Sequence, residues 1–180
     1  MSATKLIVGN WKMNGLLADS KARAEQLGSA VAAIKDSPFE MVLCPPATMI
    51  GTVAEVLAGC AVRHGGQDCH TESAGAYTGN ISAAMLKDLG CTHVIVGHSE
   101  RRQYHAESSA LIAAKAAAAH AAGLVAIICV GETDAERTAG QADSIVAAQL
   151  EESIPLSATS ENTAIAYEPV WAIATGKTAS

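Results

Sequence analysis

Leu124 to Val130 read LVAIICV, an unbroken apolar run that follows Gly123. A run of this length, without alternating polar residues, predicts a strand covered on both faces, as in parallel sheets flanked by helices. Working outward, the strand candidates are Lys5 to Gly9, Met41 to Cys44, Val62 to Gly66, His93 to Gly97, Val125 to Val130 within this run, and Thr163 to Tyr167. Between the first two, Ala24, Leu27, Val31 and Ile34 recur at helical spacing, with Asp19 or Ser20 as the expected cap. Ile50, Val53, Ala54 and Leu57 make a second apolar face, and Ile145, Val146 and Leu150 a later one. Leu86 and Leu89 precede Gly90, and an Ala-rich stretch stops at Gly123, both glycines being natural helix ends. The rhythm is βα repeated about six times, which requires the strands to pair in parallel.

Parallel α/β sheets place their ligands at the carboxyl ends of the strands. The residues there are polar and specific: Asn10 and Lys12, Gln67, the run His98-Ser99-Glu100-Arg101, Glu132 and Glu168. The last opens a second informative stretch, AYEPVWAIATGK from Ala166 to Lys177. A carboxylate at a strand end suits proton transfer, and the segment after it reads as a lid. Pro169 is stiff, Trp171 is a broad cover, and Ala172, Ala174 and Gly176 are small enough to absorb angle changes.

Composition excludes several classes. The 180 residues are 49% hydrophobic and 17% charged, as expected of one globular core. The net charge of −6 argues against nucleic acid or an anionic membrane surface as partner, so an anionic ligand needs local cations. The longest apolar run, Leu124 to Val130, is far short of the roughly 18 residues of a membrane span, and cytoplasmic residence is the default expectation. Cysteine is present in an odd count of five, and Cys44 and Cys129 lie in apolar strands, so the thiols are read as reduced. His64, Cys69 and His70 lack the paired spacing of a zinc site, and no metal is expected. Gly176-Lys177-Thr178 is no P-loop, because Trp171 stands where that motif needs glycine.

The segments VGNWKMN, GAYTGN, VIVGHSERR, CVGET and AYEPVWAIATGK, in this order, resemble the triosephosphate isomerases from the first strand to the last residue. The resemblance implies a (β/α)8 TIM barrel, of which this chain supplies about the first six βα units. It implies an isomerase of glycolysis and gluconeogenesis that interconverts glyceraldehyde 3-phosphate and dihydroxyacetone phosphate through an enediolate, with no cofactor. By the same resemblance Glu168 is the base, His98 the electrophile and Lys12 the cation, while Asn10, Lys12 and Ala174 meet the substrate. Ser99, Glu100, Glu132 and Trp171 are supporting residues. Ser99 and Glu100 fall where a short helix opens after His98, an end that disfavours a cationic imidazole. Ala174 departs from the family's usual glycine at that lid position, which restricts positive φ. Gln67 to Gly79 resembles the family's dimer loop, bringing Thr78 toward Asn10 of the partner subunit in a homodimer.

An eight-stranded barrel takes about 250 residues, so residues 1–180 are expected to form a single barrel domain lacking its last two βα units, with their phosphate-gripping loops. The expectation is a longer polypeptide. The rival reading is a noncatalytic barrel fragment that serves as a binding or assembly unit through the Gln67 to Gly79 loop.

Overall fold

The computed structural model describes residues 5–172. Six strands, β1 (Lys5–Asn10), β2 (Phe39–Cys44), β3 (Arg63–Gly66), β4 (His93–Val96), β5 (Val125–Val130) and β6 (Thr163–Tyr167), pair in parallel in chain order. Seven helices accompany them: α1 (Leu17–Ala32), α2 (Ile50–Val56), α3 (Ala83–Asp88), α4 (Ser99–Tyr104), α5 (Ser109–Ala121), α6 (Asp134–Thr138) and α7 (Ala142–Ser153). Two 3-10 turns, Ala47–Met49 and Val170–Ala172, extend the loops after β2 and β6.

The LVAIICV run behaves as its composition predicts. Successive side chains of a strand point to opposite faces. Ala126, Ile128 and Val130 pack outward with Ile112, Ala116 and Ala119 of α5, while Ile127 and Cys129 point to the other face. On that second face they join Val42 and Cys44 of β2, Ile95 of β4, Leu6 and Val8 of β1, and Ala164 and Ala166 of β6. One cluster thus holds side chains from both edges of the sheet, which is possible only because the sheet curls with this face inside. Ile112 and Ile128 are fully buried, each stabilising the fold by about 1.5–3 kcal/mol. Among the described residues β1 and β6 each have one neighbouring strand, and Ile7 and Ile165 on them are 44% exposed.

Two local expectations need correction. Neither Asp19 nor Ser20 caps α1: the helix starts at Leu17, Leu16 occupies the cap position without a side-chain bond, and Asp19 lies in the first turn. Ser20 is a fully buried interior residue whose Oγ lacks a hydrogen-bond partner. Ile34 falls beyond the end of α1 and is 44% exposed, while Ala24 and Val31 form the buried stripe. Gly90 and Gly123, at φ 79° and 72°, follow α3 and α5 as expected.

Candidate active site

The carboxyl ends of β1, β4, β5 and β6 share one rim. At the end of β1 the Asn10 Oδ1 accepts the Lys12 N–H at 3.0 Å, and Trp11 N–H stays bonded to Cys44 O at 3.0 Å. Gln67, just past β3, donates its amide to Lys12 O at 2.9 Å and to Cys44 O at 2.8 Å. These bonds hold Lys12 at φ 53°, a left-handed conformation that costs a non-glycine residue about 1 kcal/mol or more. The lysine is thereby turned onto the rim, where its Nζ donates to Glu100 Oε1 at 2.8 Å.

After β4 the chain turns at Gly97, whose φ is 70° and whose Cα faces Ile112 so closely that an added Cβ would lie 2.7 Å from it. The turn sets His98 at the N-cap of α4, 5% exposed, with its Nδ1 accepting Glu100 N–H at 3.2 Å. With Nδ1 an acceptor, the neutral ring carries its hydrogen on Nε2. That atom stands 3.2 Å from Glu168 Oε1, and the other carboxylate oxygen faces Ser99 N–H at 3.5 Å. Base candidate and electrophile candidate are therefore in direct contact. Ser99 takes part through its backbone rather than its hydroxyl.

Glu132, past β5, is fully buried and accepts Tyr167 Oη–H at 3.0 and 3.1 Å, Trp171 Nε1–H at 2.8 Å and Arg137 Nη1–H at 3.2 Å. Burial opposes its ionisation, but these donors together with its own backbone N–H outweigh burial and hold its carboxyl below the ordinary range. Arg137 also lies over the Trp171 ring, 4.2 Å from its centre. The segment after Glu168 is tied to the end of β5 through this carboxylate and through Val170 N–H, which donates to Glu132 O at 3.1 Å.

Asn10, Lys12, His98, Ser99, Glu100 and Glu168 thus converge, and Glu132 and Trp171 form an adjoining anchor. Thr78 stands apart in an exposed loop whose base is closed by His70 N–H to Ile81 O at 2.8 Å. Ala174 lies outside the described residues. Sequence reasoning put Gln67 on the rim without naming its partners, Lys12 O and Cys44 O, and gave no role to Arg137 or Arg102. Arg102 links Gly97 O, Cys129 O, Ser109 Oγ and Ser153 Oγ at 3.0–3.1 Å, bracing the turn that carries His98. The signal for Arg137 was present in the Thr133-x-x-Glu136 capping box that opens α6. Among the described residues no group of His, Cys, Asp and Glu forms a metal cluster.

The family model for triosephosphate isomerase matches residues 5–180. Triosephosphate isomerase of Mesorhizobium japonicum is 53% identical over 173 residues, covering 96% of this chain and 67% of the relative. The Afipia carboxidovorans enzyme of the same name is 54% identical over 173 residues, 96% of this chain and 68% of its own length. The crystal structure of triosephosphate isomerase from Bartonella henselae superimposes with a TM-score of 0.86 at 47% identity, over 94% of this chain and 69% of that one. The six βα units are accordingly the first six of an eight-unit TIM barrel. With the family model matching residues 5–180 and relatives about half identical over nearly the whole chain, the protein belongs to the triosephosphate isomerase family.

Proposed function

We infer that the protein is an isomerase that interconverts glyceraldehyde 3-phosphate and dihydroxyacetone phosphate. The observation that carries the residue assignment is the contact of Glu168 Oε1 with His98 Nε2 at 3.2 Å, beside the Lys12 ammonium. An aldose and its ketose differ by a proton on adjacent carbons and one on adjacent oxygens, so the reaction is internally balanced and calls for no cofactor. Glu168 removes the proton from the carbon next to the carbonyl, and the electron pair passes into an enediolate. The His98 Nε2–H polarises the carbonyl oxygen, and Lys12 stabilises the developing negative charge. The protonated Glu168 then returns the proton to the neighbouring carbon, while the hydroxyl proton passes from one enediolate oxygen to the other by way of His98 Nε2, so that one oxygen becomes the new carbonyl and the other the new hydroxyl. In the free protein the carboxylate itself occupies the His98 donor, so the substrate oxygen takes its place on binding. Asn10 acts by fixing the Lys12 backbone, and Glu100 by holding the ammonium in register.

The proposal extends to a cytoplasmic protein of glycolysis and gluconeogenesis, folded as one barrel domain and assembled as a homodimer through the Gln67 to Gly79 loop. Supporting the dimer, a cleft of about 810 Å³ beside Asn10 and Lys12, lined also by Gln67, His98 and Arg101, has room for the partner's Thr78. Met13 on its wall is 96% exposed. No helix among the described residues is long and apolar enough to cross a membrane. The noncatalytic reading gives no account of a base, an imidazole and an ammonium gathered on one rim. The test is conversion of dihydroxyacetone phosphate in deuterium oxide. The proposal expects glyceraldehyde 3-phosphate carrying deuterium on carbon, and absence of both conversion and exchange would overturn it.

A further inference from the structure

Past the end of β5, the Gly131 N–H donates to Gln149 Oε1 at 2.8 Å, and Gln149 Nε2 donates to Gly131 O at 3.1 Å. One side-chain amide from α7 therefore takes both polar groups of one residue. The neighbouring helix positions Val146 and Leu150 pack on the main core, which fixes where Gln149 stands. On its other side Gly131 lies against the Glu168 backbone: a Cβ added at 131 would overlap the Glu168 carbonyl oxygen and sit 2.6 Å from its carbonyl carbon. Gly131 is not among the positive-φ glycines, so close approach, and not the backbone angle, is what requires glycine here. The contact is bracketed by Glu168 N–H to Val130 O at 2.7 Å and Val170 N–H to Glu132 O at 3.1 Å. Gln149, Gly131 and Glu168 also line one cavity of about 480 Å³.

We propose that Gln149 and Gly131 are positioning residues for Glu168: the Gln149 amide holds the Gly131 peptide against the Glu168 backbone and so sets where the carboxylate stands. The proposal rests on Glu168 being the base. A shift of about 1 Å in a reacting group costs on the order of 10²-fold in rate, so a loosened Gly131 is felt at the chemistry.

The experiment compares Gln149→Met, Gln149→Glu and Glu168→Gln with the parent in the whole protein. Each is measured for kcat and KM with glyceraldehyde 3-phosphate, with thermal unfolding in parallel. Methionine keeps the chain length and removes both bonds, so kcat falls about 10–100-fold while KM stays within about threefold. An unchanged kcat, with or without a lowered unfolding midpoint, assigns Gln149 to stability alone and overturns the proposal. Glutamate at 149 keeps the acceptor, loses the donor, and when ionised faces the Gly131 carbonyl. Protonation restores both bonds, so its kcat relative to the parent climbs as pH falls from 8 to 5.5, and a flat ratio overturns the proposal even if the methionine variant does not fold. Glu168→Gln separates the two levels. If it loses about 10²–10⁴ in kcat while the Gln149 variants match the parent, the positioning device fails and the base stands. If it retains parent turnover, the base assignment fails and the positioning proposal with it.

Discussion

Replacing Glu132 by leucine removes the acceptor of three donors at once, and the structure fixes what each is worth. Tyr167 and Trp171 bond a charged oxygen at 2.8–3.1 Å, and each such bond stabilises by about 1.5–3 kcal/mol. Arg137 is 39% exposed and regains water when the carboxylate goes, so its share is below about 1 kcal/mol. Against these stands the penalty of keeping a fully buried carboxylate ionised, several kcal/mol, which leucine relieves. The net loss is about 2–3 kcal/mol for Glu132→Leu and about 1 kcal/mol for Glu132→Gln, which keeps one acceptor. Urea unfolding at pH 7 reads both. The parent's advantage also has a defined pH window. The folded carboxyl is held below its unfolded value, so its contribution is complete above about pH 5 and declines as pH falls through the folded value. Equal stability of parent and Glu132→Leu at pH 7, or an advantage that grows on acidification, would refute the reasoning.

Further outcomes follow from burial. Cys60 is exposed and the other four thiols are buried, with burial pushing Cys44 and Cys69 up to about 12, so a thiol reagent at pH 8 modifies one cysteine in the native protein and five in denaturant. Burial, assisted by Arg63, lowers His93 below its unfolded value of about 6.5. The unfolded chain then binds the extra proton first, stability falls as pH drops from 7.5 to 5.5, and His93→Gln flattens that dependence relative to the parent. Thr78→Arg adds a charge at the proposed dimer loop and is expected to shift sedimentation toward monomer, whereas an unchanged mass would remove that loop from the assembly.

The strands were legible because apolar runs and their polar ends leave few alternatives. Val125–Val130 and Thr163–Tyr167 match the sequence reading residue for residue, and the others differ at their ends. The start of α1 was not legible, because Asp19 and Ser20 are good caps by chemistry while packing draws the helix back to Leu17 and buries Ser20. The strand-end rule found Asn10, Lys12, His98, Glu132 and Glu168, but not how they face one another. That Glu168 rests on His98 and the Ser99 N–H is a matter of side-chain direction across 69 and 70 residues of chain. Gln149 escaped for the same reason: its partners are backbone atoms of Gly131, 18 positions away, and nothing local to α7 marks it.

The central claim is that Glu168, set against His98, is the base of a triose phosphate isomerisation. The most direct measurement is kcat for glyceraldehyde 3-phosphate in Glu168→Asp beside the parent. The substitution retracts the carboxylate by one methylene, about 1 Å, and leaves the backbone bond from Glu168 N–H to Val130 O in place. The account predicts rapid turnover in the parent, a fall of about 10²–10³ in kcat with KM within about threefold, and an unchanged unfolding midpoint. Parent-level turnover in the folded aspartate variant would contradict it.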